Sequence, residues 1–200
     1  MPACQRLIAL GDLALTLPAA AAMVAALLAA RAWRIAFWWS LLFGLATALV
    51  GASKIAFMGW GGGWPAACFK ALSGHATVVS ALFPMLFYLL LQRLGPRAAL
   101  AGLVGGIALG ALVALWLVLL REHSGAEALA GWCLGAAVSP LALRLAGPFP
   151  APASWPGAAT FVLVFLGASW LMRWAPVGYW MIVAARILSG NKHIFSLGAS

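Results

Sequence analysis

The chain has 200 residues, of which 66% are hydrophobic and 8% charged, and its mean hydropathy is +1.06. A soluble globular domain cannot hide that much apolar surface, so the composition specifies an integral membrane protein. Lys and Arg number 12 against 3 Asp and Glu, a net charge of +9, yet these cations stand singly between apolar runs, which suits anchoring in a bilayer and excludes a nucleic-acid surface.

A bilayer core takes about 20 apolar residues in helical form, and six runs meet that need. After Arg6, an apolar stretch interrupted by Asp12 and Pro18 reads as a membrane anchor and not as a cleaved leader, with a first span over 13–30. Arg31 to Arg34 separate it from a second span, 35–53, closed by Lys54. "GWGGGWP" at 59–65 is a glycine-rich loop before the third span, 76–92. "RLGPR" at 93–97 leads to a fourth, 98–120, and "REHSG" at 121–125 to a fifth, 126–145. "GPFPAPASWPG" at 147–157 is too rich in proline to continue a helix, and the sixth span follows at 158–174. The remainder, 176–200, contains "GYWMIVAARILSGNKHIF", an aromatic and basic stretch that reads as an interfacial helix ended by Gly190, with His193 solvated. The expected architecture is thus an all-α, polytopic membrane helix bundle of about six transmembrane helices over 1–175, followed by an interfacial tail. Cys4, Cys68 and Cys133 show no CxxC spacing, so neither a disulfide framework nor a zinc site is indicated, and no metal or cofactor is expected.

Six spans place the N-terminus, the 54–75 loop, the 121–125 loop and the tail on one side. The other side carries Arg31, Arg34, Arg93, Arg97 and Arg144 in short loops without a single acid, the pattern of a cytoplasmic face. A bare tally of the first side, with Arg6, Lys54, Lys70, Arg121, Arg173, Arg186 and Lys192, would reverse that reading. Discounting the tail cations and those given a role in a site restores it. Trp60, Trp64, Trp155, Trp170 and Trp174 near the span ends fit interfacial belts.

Every acid of the chain falls on or beside the first face, and so do two of its three histidines. Asp12 precedes span one, Lys54 closes span two, Lys70, Ser73 and His75 open span three, and Arg121, Glu122, His123 and Glu127 bracket the turn into span five. Taken singly, each has a bland explanation: a snorkelling lysine, helix caps at Asp12 and Ser73, a solvated histidine. Ionisable groups at membrane depth are costly, so convergence from three loops onto one face marks a candidate site.

The order Lys54, then Ser73-Gly74-His75, then His123 followed at the fourth position by Glu127 resembles the type 2 phosphatidic acid phosphatase superfamily, relatives of the vanadium haloperoxidases. There the pattern is Lys-x6-Arg-Pro, Pro-Ser-Gly-His and Ser-Arg-x5-His-x3-Asp, set at helix ends of a six-helix membrane bundle. The resemblance runs from Lys54 to about Gly135 and includes "EALAGWCLG". It implies that His123 is a nucleophile forming a phosphohistidine, that Glu127 holds its tautomer in place of the usual aspartate, and that His75 protonates the leaving oxygen. It further implies that Ser73, Gly74 and the backbone N–H groups at the start of span three cradle the phosphate while Lys54 adds charge. The chain departs from the pattern at Gly61 and Leu117, where the family has arginine, and at Leu72, where it has proline. Arg121, one helical turn beyond Leu117, and Lys70 are the expected stand-ins.

Three readings follow: a lipid phosphatase acting on a membrane lipid phosphate or pyrophosphate, an inactive relative that binds anionic headgroups or a membrane partner, and, least favoured, a small transporter. A transporter should carry ionisable groups mid-span or show inverted repeats, whereas these lie at helix ends. The expected partners are a lipid phosphate and the membrane, with no nucleic acid. The expected setting is a bacterial inner membrane with the site on the periplasmic side.

Overall fold

In hydrocarbon every backbone N–H and C=O must be satisfied within its own segment, so long apolar runs fold as helices. The computed structural model describes residues 9–149, 155–191 and 193–196; Cys4, Arg6, Lys192 and part of the proline-rich connector lie outside them. The described residues form helices α1 (Leu13–Ala29), α2 (Trp33–Trp60), α3 (Gly74–Leu91), α4 (Pro96–Leu119), α5 (Gly125–Ala146), α6 (Trp155–Met172) and α7 (Val177–Ser189), with no named strand among them. The protein is therefore an all-α helical bundle, and each of the six apolar runs coincides with a helix. The helices α2 to α5 are long and apolar enough to cross a membrane, whereas α6 and α7 form a pair bent by 56°. The 17 residues of α1 reach about 25 Å, somewhat short of a bilayer core.

Helix ends follow local chemistry. Asp12 Oδ1 accepts the Ala14 N–H at 3.1 Å and starts α1, Ser73 caps α3, Pro96 opens α4, and Gly190, at φ 69°, ends α7 where expected. Most boundaries lie within three residues of the sequence reading, and one differs by more. Lys54 does not close α2, which continues for six more residues to Trp60 and stops at Gly61, in the left-handed conformation at φ 67°. The stretch after Lys54, "IAFMGW", is compatible with a helix, and a single cation near a membrane surface does not break one.

The central element is α3, which packs against α1, α2, α4 and α5. It is held by close backbone approach. A Cβ placed at Gly102, Gly106 or Gly110 of α4 would strike Phe87, Pro84 or Ser80 of α3, and one at Gly131 or Gly135 of α5 would strike the Ser73 or Thr77 carbonyl. Such four-residue spacing of small residues lets membrane helices pack on backbone contact where hydrophobic exclusion gives no drive. Two polar side chains at this seam are matched: Thr77 Oγ1 donates to the Ser73 carbonyl (2.8 Å) and lies 3.1 Å from that of Gly131, and buried Trp39 Nε1 reaches Ala81 O and Ser139 Oγ, both at 3.3 Å; the Ser80 hydroxyl, buried against Gly110 and Gly135, has no partner among the described residues. At the periphery α6 rests mainly on α1, and α7 lies along α2.

Antiparallel neighbours bring the start of α1, the end of α2, the start of α3, the end of α4 and the start of α5 to one end of the bundle. The five loop arginines gather at the other.

Candidate functional site

Ser124 and Glu127 form a reciprocal capping box at the start of α5. The Glu127 N–H donates to Ser124 Oγ (3.3 Å), while Glu127 Oε2 accepts the Ser124 N–H at 3.1 Å. The same Oε2 lies 2.9 Å from His123 Nδ1. A carboxylate has no hydrogen to give, so Nδ1 carries it, and Nε2 is left with the lone pair. The other oxygen, Oε1, accepts the N–H groups of Lys70 (2.7 Å) and Ala71 (3.3 Å) from the loop before α3. Four donors thus meet one carboxylate that is only 5% exposed, at a helix N-terminus whose dipole favours negative charge. Glu127 orients His123 and also ties the 70–71 loop to α5.

The second half of the site lies where α2 meets α3. Lys54 projects from α2 so that its Nζ stands 3.5 Å from where a Cβ of Gly74 would be. Among the described residues the Lys54 ammonium, the N–H groups of Gly74 and His75, and the His75 ring have no hydrogen-bond partner. A cation beside the positive end of a helix is unfavourable unless an anion joins them, so the pair is arranged for one. Gly11 presses on His75: a Cβ there would lie 2.8 Å from His75 Cβ. The charges of Lys54, His123, Asp12 and Glu122 all act on His75, and that of Glu127 on Lys54, so these groups form one electrostatic cluster. A cavity of about 420 Å³ opens at Lys54, Gly74 and His75; His123 and Glu127 stand beside it and do not line it.

Other expected site residues are placed differently. Ser73 is 0% exposed, and its Oγ accepts the Ala76 N–H at 3.4 Å; it caps α3, and its hydroxyl is not presented to a ligand. Arg121 does not lie one turn along the face of Leu117, because α4 ends at Leu119 and Arg121 occupies a left-handed turn at φ 59°. It is exposed and is in no ion pair with Glu122. Lys70 meets the site through its backbone N–H on Glu127. The departures from the family pattern are absorbed by packing. Gly61 lies under the ring of Phe195, which a Cβ would meet at 2.8 Å, and the Phe195 N–H donates to Met58 O at 2.9 Å. Leu117 is 1% exposed and packed with Ala76, Val79 and Val113. Leu72 gives its N–H to Ser53 Oγ (3.1 Å), a bond that proline could not make.

Ser53, Ser124, Asn191 and Phe195 were not singled out from sequence. The Ser-x-x-Glu box at 124–127 was legible as a helix start; nothing local marked the others, whose partners are remote.

Fold and site together define an all-α membrane protein with a His–Glu pair and a lysine that has no hydrogen-bond partner among the described residues, gathered at one end of the bundle. No family model and no solved structure matches the chain. An "uncharacterized 22.5 kDa protein in cps region" of Klebsiella pneumoniae is 39% identical over 159 residues, which cover 77% of this chain and 76% of that protein. The chain belongs to the same family as that protein.

Proposed function

We propose that the protein is a membrane lipid phosphatase that hydrolyses a phosphate or pyrophosphate ester through a phosphohistidine. The observation that carries this reading is the His123–Glu127 pair, held at 2.9 Å within electrostatic reach of His75 and of Lys54. The ester phosphate binds between Lys54 and the N–H groups of Gly74 and His75. The lone pair of His123 Nε2 attacks phosphorus while the bond to the leaving oxygen breaks and His75 donates the proton that oxygen needs. Glu127 keeps the hydrogen on Nδ1 and stabilises the charged ring. Water then attacks the phosphohistidine, the P–N bond breaks, and inorganic phosphate leaves. We place the protein in a bacterial inner membrane with this site on the periplasmic side, in keeping with its bacterial relative and the arginine-rich loops opposite.

The test is phosphate release by purified protein from phosphatidic acid, phosphatidylglycerophosphate and a polyprenyl pyrophosphate. His123→Ala is expected to abolish turnover, and Lys54→Ala to weaken it about tenfold or more. Equal turnover by wild type and His123→Ala would overturn the mechanism. The alternative is a non-catalytic relative that binds anionic headgroups. It is favoured by the packing at Gly61 and Leu117, which leaves no room for the family's two arginines, and it predicts headgroup binding without release of phosphate by any form.

A further inference from the structure

The cavity at Lys54 continues as a groove along one face of α2. Gly44, Thr47, Ala48 and Gly51 recur there at intervals of three and four residues, and Lys54 stands at the end of the row. A helical face from Gly44 to Lys54 is about 15 Å long. Gly44 and Gly51 are not small for the sake of packing: a Cβ at either meets nothing within 4 Å. They widen a trough whose walls are Leu13 and Leu17 of α1 and Val177 and Met181 of α7. The trough is apolar apart from Thr47, whose hydroxyl donates to the Phe43 carbonyl at 2.9 Å, and ends beside His75 at a half-buried ammonium that has no hydrogen-bond partner among the described residues.

We propose that this groove seats the hydrocarbon chain of a single-chain lipid phosphate, so that the α2 face selects lipids with one chain. The headgroup lies at Lys54 beside His75, and the chain runs along α2 towards Gly44. Charge complementarity sets the direction, since among the described residues the one lysine or arginine lining the groove is at one end. The walls set the number of chains: the trough follows a single face of α2, with Leu13 and Leu17 on one side and Val177 and Met181 on the other. One extended chain fills that space. A second would have to displace the α1 or α7 wall. The proposal takes from the phosphatase reading only an anion at Lys54; no bond need break for it to hold.

The test uses the full chain in phosphatidylcholine nanodiscs and dodecyl phosphate carrying a diazirine at its chain end. Photolabelling is expected on the Leu13–Leu17 and Gly44–Ala48 segments, and farnesyl phosphate should compete at least about tenfold better than dioleoyl phosphatidic acid. Gly44→Leu and Gly51→Leu fill open space and so leave the fold intact, which thermal unfolding checks; each is expected to cut labelling about tenfold or more. Lys54→Met should abolish the preference for farnesyl phosphate over farnesol. Labelling spread over all lipid-facing helices and untouched by both leucines, or equal competition by phosphatidic acid, would overturn the proposal. Release of phosphate from phenyl phosphate, which has no long chain, is followed on the same samples. Labelling as expected with no hydrolysis of any ester defeats the phosphatase reading alone, whereas hydrolysis with diffuse labelling defeats the groove alone.

Discussion

Glu127 serves two structures with one carboxylate, and its length is what allows it. Oε2 faces His123 and Ser124 while Oε1 reaches across to Lys70 and Ala71. An aspartate, one methylene shorter, cannot meet both sets from the same position on α5. Glu127→Asp is therefore expected to lower stability, by about 1–2 kcal/mol, even though aspartate is the residue of the resembling family. Glu127→Gln keeps the shape but turns an NH₂ group towards two donors, and is expected to cost about 1–3 kcal/mol. Thermal unfolding in detergent measures both. A pair of variants as stable as wild type would mean that the carboxylate is not the clamp its hydrogen bonds describe. The same geometry explains how an acid is tolerated near a membrane surface: all four of its partners are N–H groups, and its charge faces a helix N-terminus.

Among the helices, the end of α2 shows why arginine does not fit where the resembling superfamily carries it. Gly61 needs a left-handed backbone, which costs a residue with a Cβ about 1–2 kcal/mol, and its α-carbon lies against the Phe195 ring. Gly61→Arg is expected to destabilise the protein and to free the tail that Asn191 Nδ2 holds on the Gly59 carbonyl at 2.8 Å; proteolysis at residues near Asn191 reads this. Leu117→Arg buries an unpaired guanidinium in the α3–α4–α5 contact and is expected to lose about 3 kcal/mol. Thermal unfolding of either variant at the wild-type temperature would overturn this account. The helices themselves were legible in the sequence because hydropathy acts over whole segments, and the caps at Asp12, Ser73 and Gly190 because they act within one turn. The His123–Glu127 pair was legible for the same reason, being four residues apart on one helix start. Less was legible wherever a residue's role depends on a distant partner. Nothing local to Leu72 signals Ser53, nothing near Gly61 signals Phe195, and the glycines of α4 and α5 declare their purpose only against α3. The placing of Arg121 failed for a smaller reason, a helix that ends two residues early.

For the molecule as a whole, the distribution of charge between its two ends fixes how it should sit. Arg31, Arg34, Arg93, Arg97 and Arg144 gather at the end away from the site, and no acid accompanies them there. Arg34 Nη2 points at the Leu145 carbonyl, 3.5 Å away, close to the end of α5. Short basic loops resist translocation, so this end is expected to face the cytoplasm and the His–Glu end the periplasm. The cations at the site end do not argue against it with equal force. Lys54 lies within α2, six residues from its end and against Gly74, whereas the five arginines stand in turns or in the first or last turn of a helix. Cys68, free and exposed on the loop between α2 and α3, is a natural reporter for the site end. An impermeant maleimide added to intact spheroplasts is expected to label Cys68 in a Cys4→Ser, Cys133→Ala chain. In a Cys68→Ser, Leu94→Cys variant, whose new thiol occupies an exposed position at the arginine end, labelling should appear only after the membrane is opened. Cys133, also exposed but within α5, and Cys4 near the N-terminus are removed, to alanine and serine, in both samples so that neither confuses the result. The reverse pattern, Leu94→Cys labelled from outside and Cys68 protected, would invert the molecule and put the proposed phosphatase site on the cytoplasmic side, where the bulk of positive charge at that end would then be the dominant topological signal.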